Sequence, residues 1–250
     1  ATVPKLNVLI GKNEGSGYLS MNSKALGADL VFALEGASVS PLNAKAAAQI
    51  TDKPVTLVAT HVHGDHTGSA VNYYREIYIN AADMVNVQSM MRDYRGRINF
   101  LSDGSIIDLG GRQIEVMFTP GHTPGSTSFL DKAAGYGFSG DAFGSTNLLL
   151  TTNFQTLYIT ADRMAEYMEK NGIDRLYSGH YHGNDTESLQ RVKDLRQMAR
   201  EMIDGTYKGE VFEQNGNLDR YITNGEVKVN FNSKQPVIDL SPRFPFGPRR

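Results

Sequence analysis

The chain has no cysteine. Disulfides and thiolate metal ligands are therefore excluded, and any metal site must be built from nitrogen and oxygen donors. No apolar run approaches the ~20 residues that a membrane-spanning helix needs. An excess of charge of either sign is lacking: Lys and Arg number 25, Asp and Glu 27, and the formal net charge is −2. That gives no electrostatic footprint for nucleic acid, and none is expected as a partner. Hydrophobic residues at 40% and charged residues at 21% are the proportions of a soluble globular protein. Ala1 in place of Met reads as the end of a removed signal peptide or of a trimmed chain. With the absent cysteine, it favours an exported or periplasmic location over a cytoplasmic one.

Histidine is also scarce, and its placement is uneven. Three of the six histidines fall in His61-Val62-His63-Gly64-Asp65-His66. This cluster closely follows residues 55–59, which read as a short buried strand. Imidazole and carboxylate are ligands that Zn, Fe and Mn accept. On a helix His61 and His63 would splay apart, whereas a loop leaving a strand end can point all four donors inward. The plainer reading is a set of solvated loop residues. Against it stand Pro120-Gly121-His122-Thr123-Pro124-Gly125, Ser139-Gly140-Asp141-Ala142 and Ser178-Gly179-His180-Tyr181-His182. Each follows a strand-like run, at residues 114–118, 136–138 and 175–177. Four strand ends with glycine-assisted turns, each offering His or Asp, suggest one rim of a sheet on which ligands converge. The number of donors suits two metals.

The pattern HxHxDH, then His after 56 residues, Asp after 19 more and His after 39 more, resembles the metallo-beta-lactamase superfamily. Within it, the chain is similar to the dinuclear hydrolases typified by glyoxalase II and the acyl-homoserine lactonases. The resemblance implies His61, His63 and His122 at one metal and Asp65, His66 and His180 at a second, with Asp141 between them. Its implied cofactors are two divalent ions, Zn first, with Fe or Mn able to use the same donors. Two such ions share a water and bring its pKa from ~16 toward neutrality, and Asp65 would orient the resulting hydroxide. The implied activity is cleavage of an ester, thioester or lactone of a small, partly apolar molecule. β-Lactam or phosphodiester cleavage on the same centre is the alternative, and a non-catalytic binding protein on a hydrolase scaffold is the reading from another class.

Departures from the better-known branches narrow the choice. Asp141 stands where the lactam-cleaving branch has Cys or Ser, and Gly144 where lactonases carry Tyr. One long helix and a β meander follow His180 in place of the helical domain of glyoxalase II. His182 is a candidate catalytic group, with a surface histidine as the alternative. Phe143, Leu148, Phe154 and Tyr181 are candidate pocket walls, as are Met84, Met90, Met91 and Tyr94, although apolar stripes of this kind also serve as core. Ser126 and Ser178 read as turn residues.

The order of elements supports a mixed α/β protein, and the resemblance implies a four-layer αββα sandwich. Strands are expected at residues 5–10, 17–21, 29–35, 54–59 and 76–80, two within 105–118 hinged at Gly110-Gly111, and two more at 126–130 and 135–140. Helices are expected at 41–50, 70–74, 81–93 and 162–171. Another is expected after Asp185 or Thr186, either of which can cap it, ending at Gly205. Residues 209–231 read as a closing meander with turns at Asn215-Gly216 and Asn224-Gly225. The expected organisation is one domain over residues 1–241 and an unpacked tail over 242–250. The sequon Asn184-Asp185-Thr186 is taken as chance.

Overall fold

The computed structural model describes the backbone of residues 7–13, 16–22, 30–33, 55–67, 71–72, 74–109, 112–180 and 186–237, with side chains from residue 57 onward. The expected helix at 41–50, the tail at 242–250, Tyr181, His182 and the Asn184 sequon lie outside these residues.

The chain opens with an antiparallel pair, β1 (Asn7–Asn13) and β2 (Ser16–Asn22). Four parallel strands follow, β3 (Leu30–Ala33), β4 (Val55–Val58), β5 (Glu76–Ile79) and β6 (Arg97–Phe100). The second large sheet has six strands in the order β13-β12-β10-β9-β8-β7: β7 (Ile106–Asp108), β8 (Gln113–Phe118), β9 (Thr127–Asp131), β10 (Tyr136–Gly140), β12 (Arg175–Ser178) and β13 (Thr186–Ser188). A four-stranded sheet closes the chain, with β11 (Asn147–Leu149) beside β16 (Lys228–Phe231), then β15 (Arg220–Thr223) and β14 (Phe212–Glu213).

Alternation along the strands assigns the layers, because successive side chains of a strand face opposite ways. In β4, Val58 packs with Ile114, Val116, Phe129 and Phe138, so the two large sheets meet face to face. Leu57 packs on the other face with Ile77, Ile79, Met91 and Tyr94. There the layer includes α2 (Met84–Met90), through Val87; α1 (Gly64–Thr67) follows the end of β4. The outer face of the six-stranded sheet places Met117, Leu130 and Leu176 against α3 (Phe154–Asn171) and α4 (Leu189–Asp204). Each buried Leu or Phe contributes about 1.5–3 kcal/mol over leaving it in water. The result is helix, sheet, sheet, helix, which is the four-layer architecture that the resemblance implied. Among the described residues no helix is long and apolar enough to cross a membrane.

Several boundaries differ from expectation. α3 begins at Phe154, eight residues before position 162, because Asn153 accepts the Thr156 N–H at 2.8 Å and caps it. Its first turns carry β-favouring Thr, Tyr and Ile, yet Phe154, Leu157 and Ala161 recur at helical spacing and bury one face. α4 is capped by Ser188, which accepts the Arg191 N–H at 3.2 Å. Thr186 does not cap it, pairing with Tyr177 in the sheet instead, and Asp185 lies outside the described residues. The helix expected over 81–93 is a 3₁₀ turn at Ala81–Asp83 followed by α2, which stops at Met90.

Candidate metal centre

β10 and β12 are parallel, while β8 and β10 are both antiparallel to β9. All three therefore end on the same rim, and β4 of the facing sheet ends there too. His122 follows β8, Asp141 follows β10, His180 follows β12, and His61 to His66 follow β4. The seven side chains that share this pattern in the sequence are brought together in space.

Oδ2 of Asp141 is the hub. It lies 3.2 Å from Nε2 of His180, 3.4 Å from Nε2 of His66 and of His122, and 3.9 Å from Nε2 of His61. Nδ1 of His63 is 2.9 Å from Nε2 of His122, and Nε2 of His66 is 3.3 Å from Nε2 of His180. Asp65 places Oδ2 3.1 Å from His180 and 3.5 Å from His66. Three groups, His61/His63/His122, His61/His66/Asp141 and Asp65/His66/His180, each bring their donor atoms within 4.8 Å of one another.

The donors fit a divalent cation on two grounds. Ligands about 2 Å from a tetrahedral ion sit about 3.3 Å apart, which is the spacing found here. In addition, Nε2 of His61 is the one buried side-chain polar atom among the described residues with no hydrogen-bond partner. Leaving such an atom unpaired is costly, and a cation would satisfy it. Nδ1 of His122 donates to the Leu149 carbonyl at 2.9 Å, which leaves Nε2 as a lone-pair donor facing the cluster.

Electrostatics divide the cluster in two. Burial, together with the neighbouring His66 and His122, pushes His61 well below the usual histidine range. Burial likewise pulls His122 down to about 4. These imidazoles are neutral at physiological pH, as ligation requires. His180 is raised to about 10 by its bonds to Asp141 and Asp65. His66 is raised to about 9, because the same two carboxylates outweigh its burial. Asp141 is held well below the carboxylate range: its burial is overcome by His180 and His66.

Three supporting residues carry little signal in the sequence. Asp83 is fully buried and fastens two ligand loops together. Its Oδ2 accepts from the Val62 N–H at 2.8 Å and the Thr123 hydroxyl at 3.0 Å, and its Oδ1 accepts from the Gly125 N–H at 2.8 Å. Burial raises its pKa against these three bonds. Gly179 must lack a Cβ, since one there would sit 2.4 Å from Oδ1 of Asp141 and 2.7 Å from Cε1 of His66. Glu187 is buried and accepts from the Ser145 N–H and, at 3.1 Å, from Arg191. It thereby anchors a turn in which Ser145 (φ 46°) and Thr146 (φ 85°) adopt left-handed backbone. Ser126 and Ser178 are the turn residues they were read as: Ser126 Oγ accepts the Thr123 N–H at 3.0 Å, and Ser178 donates to the His180 carbonyl at 2.9 Å.

The pocket residues require correction. Phe143, Leu148 and Phe154 are at most 2% exposed and belong to the core against α3 and α4. β11 pairs with β16 and turns Leu148 inward, so none of the three offers surface to a ligand. Leu149, the next residue, is 41% exposed beside His122. On the other side, Met90 is 40% exposed, and its Sδ lies 3.8 Å from where a Cβ on Gly64 would be. Met91 and Tyr94 pack under β4 and β5 and leave only an edge at the surface, 5% and 9% exposed.

Among curated proteins, the chain is 28% identical over 169 residues to the human acyl-coenzyme A thioesterase MBLAC2, a match covering 56% of this chain and 61% of that protein. The chain thus spans about three-fifths of the length of that relative. A stretch of 53 residues is 47% identical to the propionyl-CoA carboxylase beta chain of Rhodococcus erythropolis, covering 21% of this chain and 11% of that protein. That is too little of the carboxylase to carry its activity. The solved structure of ETHE1 from Myxococcus xanthus superimposes with a TM-score of 0.55 at 19% identity, over 80% of this chain and 91% of that one. It shares the fold. The sequence profile of the metallo-beta-lactamase superfamily matches residues 28–198. With that match and the converging His/Asp rim, the chain belongs to the metallo-beta-lactamase superfamily.

Proposed function

We propose that this protein is a dinuclear metal-dependent hydrolase that cleaves the thioester, ester or lactone bond of a small acyl compound. One observation carries the reading: the Asp141 carboxylate stands between two sets of histidine nitrogens, within 3.2–3.9 Å of four of them. His61, His63 and His122 would hold one ion, Asp65, His66 and His180 a second, and Asp141 both. Zinc suits the donors best, and Fe or Mn can use them. When bound, such a pair lowers the pKa of a shared water and polarises a carbonyl oxygen.

The protein's own groups do the rest. The Asp65 side chain is 48% exposed, against 12% or less for His61, His66, His122 and Asp141. Its carboxylate can therefore face both the centre and an incoming water, whose proton it accepts in a hydrogen bond. Met90 and Leu149 give the mouth two apolar walls, suited to the acyl part of a substrate. Water's oxygen bonds to the acyl carbon, the carbon–sulfur or carbon–oxygen bond breaks, and a carboxylate and a thiol or alcohol leave. We also propose His182, two residues beyond His180 in the sequence, as proton donor to the leaving group; His182→Ala is then expected to lower turnover without changing metal content, and unchanged kinetics would make it a surface histidine. Similarity to a named acyl-coenzyme A thioesterase is our reason for proposing thioesters first among the substrates.

A panel of acyl thioesters, an acyl-homoserine lactone, nitrocefin and bis-p-nitrophenyl phosphate tests the reading on metal-loaded protein. Turnover of thioester or lactone, abolished by chelation and restored by Zn, is expected. Turnover of the phosphodiester or nitrocefin alone would overturn it.

A further inference from the structure

Two cavities open along the end of α2 and the turn that follows it. One, of about 230 Å³, is lined by Met90, Arg92 and Tyr94 among others. The other, of about 410 Å³, is lined by Arg75, Arg95 and Tyr94 among others. They share Asn72, Asp93 and Tyr94 as walls, so they form one groove. Its Met90 end approaches the metal centre, since Met90 comes near Gly64, the residue between His63 and Asp65, and its Arg75 and Gly96 end lies just before β5 and β6, toward the opposite end of the parallel sheet.

The groove's charge runs against that of the chain. Among the described residues three arginines line it against one acid, Asp93, while the chain as a whole carries −2. Arg75, Arg92 and Arg95 are exposed, and none makes an ion pair among the described residues. Arg97, outside the groove, is bound to Glu76 at 2.6 Å. Arg95 donates to the Arg92 and Tyr94 carbonyls, at 2.6 and 3.2 Å, through one terminal nitrogen, which leaves the rest of its guanidinium available. Guanidinium forks match phosphate oxygens two at a time, and clustered unpaired arginines are suited to an anion with several phosphates.

Resting on the thioester reading above, we infer that this groove binds the phosphate-bearing carrier of the substrate. The acyl–sulfur bond lies at the metal centre, the carrier passes over Met90, and its phosphates meet Arg92, Arg95 and Arg75. The substrate class is then a thioester of a phosphorylated thiol.

The test compares one acyl group on three thiols, coenzyme A, phosphopantetheine and uncharged N-acetylcysteamine, with the Zn-loaded enzyme and its Arg75→Ala and Arg75→Ala/Arg95→Ala variants. The double variant is expected to raise KM for the coenzyme A ester about tenfold or more, with a smaller rise for phosphopantetheine. For N-acetylcysteamine it should change KM less than twofold, with kcat unchanged throughout. Arg75→Ala, which leaves the Arg95 backbone bonds intact, should give part of the same effect. Calorimetric titration with free coenzyme A should show binding that the double variant loses. Equal effects on all three thiols, or coenzyme A binding indifferent to both substitutions, would overturn the groove. Arginine-dependent binding of coenzyme A without hydrolysis of any thioester would leave the groove standing and overturn the hydrolase reading.

Discussion

Asp83 offers a sharp test of how the ligand loops are held, because it touches no reacting atom and yet ties His61–His63 to the His122 loop. Replacement by alanine leaves the Val62 and Gly125 N–H groups without their acceptor. A buried donor left unpaired costs about 1–3 kcal/mol, so the two together cost about 2–6 kcal/mol. The upper end is reduced because burial already disfavours the Asp83 charge, as its raised pKa records. Asp83→Asn is gentler. Its carbonyl oxygen can keep the bonds from Val62 and Thr123, while its amide faces the Gly125 N–H, so one donor is lost and about 1–3 kcal/mol with it. Outer partners of metal ligands are also worth about 10–100-fold in affinity. Urea unfolding of the metal-free variants and competition against a chromophoric chelator measure the two effects separately. Both variants should lower stability in the order Ala below Asn below wild type, and Asn should weaken metal binding by about tenfold or more. An Asn variant within about 0.5 kcal/mol of wild type and with unchanged metal affinity would refute the reasoning.

Gly179→Ala should displace Asp141 or His66, since its Cβ has no space beside either. The variant is expected to fold, with unchanged far-UV circular dichroism, and to bind less metal; full metal content would show that the loop can yield. Glu187 is raised to about 7, first by burial, against the opposing pull of Arg191. A folded pKa above the unfolded ~4.5 means a contribution to stability that is present below pH 4.5 and lost as pH rises through 7. The shift corresponds to about 3 kcal/mol. Glu187→Gln abolishes this titration, so its stability relative to wild type should rise between pH 4.5 and 7 in chemical unfolding. A pH-independent difference would contradict it.

The centre was legible in the sequence because its parts are local. A strand, a glycine-assisted turn and a His or Asp can each be recognised within ten residues, and four repeats of that unit point to one rim. The layer order came from the resemblance; alternation along the strands supported only a mixed α/β protein. What could not be read was set by distant contacts. Leu148 and Leu149 are neighbours of equal hydrophobicity, and only the pairing of β11 with β16, about eighty residues away, decides which is core and which is rim. Asp83 sits in an unremarkable Ala-Ala-Asp-Met stretch, and its partners lie 21, 40 and 42 residues away. β6 and β13 are short and add few apolar residues, so periodicity passed over them. α3 starts earlier than propensity suggests because β-favouring residues occupy turns whose burial outweighs their propensity.

Metal stoichiometry by elemental analysis, on protein reconstituted with Zn and freed of excess ion, bears most directly on the proposed dinuclear centre. Two equivalents per chain are expected in the wild type, about one in His180→Ala, and loss of metal in Asp141→Ala with esterase and thioesterase activity gone. One equivalent or fewer in the wild type, or two retained in Asp141→Ala, would contradict a centre in which that carboxylate joins two ions.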